Sequence, residues 1–270
     1  KVLPDQFDHY IEPFLGAGAM FIWAYDQNPD ATFVLNDSNE SIMAIYAAVK
    51  DDCSAFMARM DQLSTQYLPL DKEARKVFYY DLRREHAFDY KKWSRTDEAA
   101  TLYFLMKTGF NGIWQINKNT DGRFGTPSGL LNQKDKVYDK ENVLEWKKAL
   151  QRCTLMVGDF RETLSAATPN SYVFLDPPYR GSFTQYGVDF DDDLQESVIK
   201  FLNESTGAGA YVMMSNRDVG DNFFESRQGN NEIIYFDVTY TAGRRKKNAD
   251  GTHSAKKAIE ILMIGKTKNG

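Results

Sequence analysis

The chain has 270 residues, 42% of them hydrophobic and 14% aromatic, and carries a formal net charge of −5. That is enough apolar material to bury a full core, and the acidic balance argues against a protein coated along its length in nucleic acid. Cys53 and Cys153 are too few and too far apart for a disulfide framework and sit in no metal-ligand spacing, which predicts a reducing compartment, while the absence of a secretory signal or a long apolar run excludes a membrane-spanning helix.

In chain order, HYIEPFLGAGAMF predicts a short strand, Tyr10 to Ile11, then Glu12, a turn containing Gly16 and Gly18, and a helix from about Ala19. Strand, Gly-x-Gly and helix bring backbone close to a ligand at a helix N-terminus. A second strand, Thr32 to Leu35, ends in Asn36-Asp37, and Asp37 lies about twenty residues past the glycines, a spacing that suits a carboxylate on a ribose diol.

From roughly residue 50 to 150 the rhythm changes to charged and aromatic helical segments such as AFMARMDQL and ATLYFLMKTGF, an inserted α-rich domain between a first catalytic part, 1–49, and a second, 151–270. Within it, GFNGIWQINKNTDGRFGTPSG predicts a β-hairpin, its strands Ile113 to Lys118 and Arg123 to Thr126 joined by a type I′ turn at Asp121-Gly122. The tip is polar and basic. The sheet pattern resumes with Thr154 to Val157 before Gly158-Asp159-Phe160, and then SYVFLDPPYRG.

This last stretch joins a buried strand to an acid, two prolines and a tyrosine. Neither proline can extend a ladder or donate a backbone hydrogen bond, so the chain leaves the sheet rigidly at its carboxyl edge, where ligands bind in open α/β sheets. A helix from about Leu194 to Leu202 follows, then a strand from Ala210 to Met214 ending in Ser215-Asn216. Two late strands, Glu232 to Val238 and Ala258 to Ile264, flank a basic loop and are expected to pair as an antiparallel edge hairpin. Glu12, Asp37, Asp159 and Asp176 thus converge on one edge. With His9, His86 and His253 scattered, no metal is expected there; placed singly, the acids suit the separate polar groups of one nucleoside cofactor.

EPFLGAG, NDSNE, GDF and DPPY, in this order and with a large insertion between the second and third, resemble the Dam-like DNA adenine-N6 methyltransferases of the α arrangement. GFNGIWQIN through TPSG, MSN and GRRKK…EILMIG also have counterparts there, so the resemblance spans nearly the whole chain. It implies an α/β fold, a Rossmann-like seven-stranded sheet binding S-adenosylmethionine and releasing S-adenosylhomocysteine, with the insertion as target-recognition domain. The family's Gly-Gly-Lys motif, which precedes the segment resembling LPDQFDHYIEPF, would fall before Lys1. As the chain does not begin with methionine, its true N-terminus is expected upstream.

What the resemblance implies for single residues is specific. Asp176 and the Pro177 carbonyl would accept the two N6 hydrogens of adenine, Pro178 would stiffen the loop, and Tyr179 would stack on a base rotated out of the duplex. The backbone around Phe14, Gly16 and Gly18 would lie against the methionyl part of the cofactor, Asp37 against its ribose, and Asp159 and Phe160 against its adenine, with Glu12, Pro13 and Asp176 also in the cofactor site. Glu12 could instead cap a backbone turn, and Phe14 and Phe160 could simply pack. Duplex DNA would meet Gln115, Asn117, Lys118, Asn119 and Arg123 of the hairpin, and the basic loop Arg244, Arg245, Lys246 and Lys247 would hold phosphates. A monomeric cytoplasmic enzyme of a bacterium or phage is expected, solitary or from a restriction-modification system. Alternatives are a cytosine-N4 enzyme, an inert DNA-binding homologue, and methylation of RNA or of protein glutamine.

Overall fold

Ser171–Leu175 is buried at every residue, the mark of a strand covered on both faces. In the computed structural model, which describes residues 3–4, 6–129, 136–181, 190–240, 246–247, 253–254 and 256–265, it is a central strand of a mixed sheet. The strands are β1 (His9–Glu12), β2 (Thr32–Asp37), β3 (Cys153–Val157), β4 (Ser171–Leu175), β5 (Tyr211–Asp218), β6 (Glu232–Tyr240), β7 (Lys246–Lys247), β8 (His253–Ser254) and β9 (Lys256–Ile264). Seven form one sheet in the order β3-β2-β1-β4-β5-β9-β6, while β7 and β8 form a separate two-stranded pair. Strands β2, β1, β4 and β5 run parallel, and β9 is antiparallel to both neighbours. The late hairpin is therefore at the edge, as expected. This is an α/β fold.

By contact density the chain divides into two compact units, residues 1–38, 159–184 and 190–270 in one and 39–158 with 185–189 in the other. In the first, alternate residues of the strands face opposite layers. Tyr10, Phe33 and Tyr172 point to α1 (Ala19–Gln27), whose Phe21 meets Phe33 edge-on at 5.4 Å and whose Trp23 meets Tyr172 at 6.0 Å. Ile11, Val173 and Leu175 pack in a second core with Val198, Phe201 and Leu202 of α7 (Asp192–Gly207). The Asp191 side chain caps α7, and Asp192 and Asp193 complement its dipole.

The second unit contains α2 (Glu40–Asp51), α3 (Cys53–Tyr67), α4 (Lys72–Phe88), α5 (Arg95–Thr108), α6 (Lys140–Leu150) and β3. Phe104 of α5, fully buried, meets Tyr67 of α3 edge-on at 5.4 Å. The predicted β-hairpin needs correction. Asp121 and Gly122 do take positive φ, 53° and 73°, but Lys118–Thr120 forms a 3-10 turn, and the flanks meet only at single bridges, Ile116 with Phe124 and Gly109 with Ser128. The Asn117 carboxamide accepts the Asn119 N–H, and the single Thr120 hydroxyl proton is shared between the Asn117 and Arg123 carbonyls, local bonds that replace a ladder.

Candidate active site

Strands β1 and β4 are parallel neighbours in register, His9 opposite Ser171 and Ile11 opposite Val173. From β1 the chain continues outward to β2, and from β4 to β5 in the other direction, so their carboxyl ends flank the point where strand order reverses. A crevice at that point is the ligand site of open α/β sheets. Glu12 ends β1 and Asp176 follows β4.

Between β1 and α1 the loop is stitched to the end of β2. The Leu15 N–H donates to the Asn36 carbonyl (2.8 Å), the Asn36 carboxamide to the buried Pro13 carbonyl (3.0 Å), and the Gly16 N–H to Asp37 Oδ2 (2.9 Å). Gly16 and Gly18 have φ of 47° and 67°, a left-handed turn that L side chains resist. Among the described residues beyond its chain neighbours, none has an atom within 4 Å of where a Gly16 Cβ would lie, beside the Asp37 carboxylate.

Glu12 is 2% exposed. Its Oε2 accepts from the Tyr10 hydroxyl at 2.7 Å, and its carboxyl also takes the backbone N–H of Phe21 in the first turn of α1. It thus serves that helix end as a cap, for Gly18 has no side chain to do so. Burial pushes the carboxyl up to about 8 from an ordinary 4.5, the Tyr10 bond pulls against this, and the Asp176 charge adds to it. The fold favours the protonated acid, so its stabilisation is complete below about pH 4.5, declines as pH rises and is lost above about 8. Glu12→Gln, which keeps an acceptor for Tyr10, should flatten the decline in melting temperature across that window. Parallel melting profiles for parent and variant would refute this.

Asp159 follows β3 and caps a 3-10 turn, Oδ1 accepting from the Arg161 backbone N–H (2.9 Å) and Nε (2.8 Å), the other oxygen from the guanidinium terminus. These bonds hold its carboxyl below the usual range. Phe14 and Phe160 lie 5.0 Å apart, tilted by 31°. Phe160 is buried and packs edge-on against Phe201, so it belongs to the core, whereas Phe14 is half-buried at its margin.

At Asp176 the carboxylate stays open to solvent, yet the protein around it desolvates it enough to raise its pKa, an effect opposed by hydrogen bonds from Ser215 and Tyr179 and reinforced by the Glu260 charge. Asp176 Oδ1 accepts from Ser215 Oγ, and among the described residues no donor meets the Pro177 carbonyl. The Pro178 carbonyl is taken by Gln195 Nε2 at 2.7 Å. Buried Arg180 places its guanidinium between Asp192 and Asp221, at 2.7 to 2.9 Å, and 3.9 Å from the Phe223 ring centre.

The structure brings Glu12, Pro13, Phe14, Gly16, Gly18, Asp37, Asp159, Phe160 and Asp176 through Tyr179 together in one unit. Ser215, Gln195 and Arg180 were missed from the sequence, although MSN and the arginine after DPPY stood in view.

In the other unit Lys118 and Asn119 are exposed at the turn, Gln115 and Asn117 half-buried. Arg123 pairs with Glu98 and stacks 3.6 Å from the Tyr90 ring centre, which commits its guanidinium internally. Arg244 and Arg245 lie outside the described residues. Lys246 and Lys247 form β7, opposite Ser254 and His253.

Residues 1–241 match the family model described as D12 class N6 adenine-specific DNA methyltransferase. Over 261 residues the chain is 30% identical to a type II methyltransferase, M.MjaIII, of Methanocaldococcus jannaschii, covering 94% of this chain and 87% of the relative. It is 30% identical over 211 residues to the retron Ec67 DNA adenine methylase of Escherichia coli (77% and 68% covered) and 28% over 224 residues to a DNA adenine methylase of Vibrio cholerae (77% and 72%). No helix among the described residues is long and apolar enough to cross a membrane, and no group of His, Cys, Asp and Glu among them could hold a metal ion.

Proposed function

Because the chain belongs to the D12 class N6 adenine-specific DNA methyltransferase family, we propose that its methyl donor is S-adenosylmethionine and its acceptor an adenine rotated out of duplex DNA. The observation that carries this is the end of β4. A carboxylate oriented by Ser215 and Tyr179 stands one residue before a carbonyl fixed in direction by two prolines.

The adenine N6 lone pair is delocalised into the ring, which makes the amine a poor nucleophile. Asp176 and the Pro177 carbonyl, each accepting one N6 hydrogen, hold the nitrogen nearer to tetrahedral and direct its lone pair. Tyr179 stacks on the extruded base. When bound, S-adenosylmethionine supplies a methyl group activated by a sulfonium. The open face of Gly16 fits its methionyl part, Asp37 its ribose hydroxyls and Asp159 its adenine; Phe14 borders this region, while Phe160 contributes from the core.

Residues 50–150 act in this reading as the target-recognition domain, with Lys118 and Asn119 the most available for DNA and Arg123 supporting the turn that carries them. The enzyme works as a monomer in the cytoplasm, where its DNA lies. Transfer of labelled methyl to duplex DNA, followed by nucleoside analysis, tests the proposal: N6-methyladenine is expected. N4-methylcytosine, or methyl found only on RNA or peptide, would overturn it.

A further inference from the structure

Two carboxamides that no part of this mechanism uses lie fully buried beside the DPPY loop. Gln195 and Asn216 are each 0% exposed, although glutamine in the first turn of an acidic helix and asparagine in a strand are ordinarily placed toward water. Asn216 Oδ1 accepts the backbone N–H of Arg180 at 3.0 Å and that of Arg217 at 2.8 Å. Asn216 Nδ2 donates to Gln195 Oε1 at 2.9 Å, and Gln195 Nε2 to the Pro178 carbonyl at 2.7 Å.

This chain of bonds has a single sense. Pro178 offers only an acceptor at one end and the Arg180 amide only a donor at the other, so turning either carboxamide over would face donor with donor or acceptor with acceptor. It joins the carbonyl just before Tyr179 to the N–H just after it, and so closes a ring around that one residue. The Arg180 side chain, held by Asp192 and Asp221, fastens the far end, and Arg217 donates to the Gly181 carbonyl at 2.9 Å. Bonds of this kind are costly to break, because each buried partner is left unsatisfied.

We propose that Gln195 and Asn216 are positioning residues, which preset the backbone on both sides of Tyr179 so that its ring stands where the extruded base must stack. The proposal rests on the functional reading above. A purely structural role would lower stability alone. A positioning role lowers turnover through Tyr179, and that difference can be measured.

Gln195→Met keeps length and burial while removing both bonds, and Asn216→Ser is the second variant should the first fail to fold. Each is assayed with labelled S-adenosylmethionine on unmethylated plasmid DNA, in the parent and in a Tyr179→Ala background, alongside amide hydrogen exchange of residues 176–181. Turnover should fall roughly 10- to 100-fold, the scale of a small misplacement at a reacting centre, with the KM for S-adenosylmethionine unchanged and exchange at Arg180 accelerated. In the Tyr179→Ala background the further loss should vanish. An active parent whose variants keep its turnover, lose as much without Tyr179, or show unaltered exchange at Arg180 would overturn the positioning role alone. A parent that methylates no DNA would overturn the functional reading, and the role with it.

Discussion

Asp176→Ala should lower methyl transfer by about 10²-fold or more while leaving S-adenosylmethionine affinity close to that of the parent. The substitution removes the acceptor assigned to the target amine and withdraws the partner of Ser215 Oγ and of Tyr179. It should not unfold the protein. Its surroundings raise the pKa of Asp176, so the fold disfavours its charge, and replacing such a group commonly preserves or increases stability at the expense of activity. Single-turnover rates with calorimetric cofactor binding check this. A variant with the parent rate would remove Asp176 from the reaction, and one that loses cofactor affinity in proportion to rate would reassign it to cofactor binding.

Gly125→Ala should act on the other unit. A Cβ there would lie 2.3 Å from the Asn117 Cβ and 2.9 Å from its backbone nitrogen, atoms too close to the main chain to swing aside. The Gly125 N–H donates to the Gln115 carbonyl at 2.7 Å, and Arg83 holds the Gly125 and Thr126 carbonyls at 2.8 Å, so relief requires opening the turn that presents Lys118 and Asn119. Overpacking of this order costs about 1–3 kcal/mol. If the segment contacts DNA, duplex affinity should fall by roughly tenfold or more, with cofactor affinity unchanged because Gly16 and Asp37 belong to the first unit. Parent-like duplex binding by a variant that has lost thermal stability would take DNA recognition away from this segment.

The strand ends were legible because each motif pairs a β-branched or aromatic run with a residue that cannot continue it: Gly16 after β1, Asp159 after β3, Pro177 after β4. Glu12 could be placed on the edge, and its capping of a backbone turn was among the readings, matching its bond to the Phe21 amide; its near-complete burial was not marked by anything local. Phe160 carried two readings, packing and cofactor contact; it packs on Phe201, with Phe14 5.0 Å away. Strand β5 runs to Asp218, past the predicted end at Met214, because Ser215 to Asp218 pair with Leu262 to Ile259 of β9. The sequence puts Asn216 at the end of a strand and Gln195 near the start of a helix, without any local mark of their burial. Their bond joins positions that nothing local in the sequence connects. The Asp-Gly signal gave its dihedral angles correctly and its strands incorrectly, because Asn117 and Thr120 satisfy backbone groups that a ladder would have used.

The pairing of β1 with β4 also governs how this chain comes to fold. Asp8 and Asn170, 162 positions apart, share a main-chain hydrogen bond of 3.0 Å where that strand pair begins. One side of β1 can be paired by β2 early in synthesis, whereas its other side meets no strand until the whole insertion and β4 have followed. The backbone hydrogen bonds within the insertion's helices are local and form quickly, whereas the pairing of β1 with β4 must close a very long loop before it is rewarded. Refolding should accordingly be biphasic, with helical signal recovered before the sheet core. Until then the side of β1 that will meet β4 stays an unpaired strand edge beside Tyr10 and Ile11, which chaperones would have reason to shield.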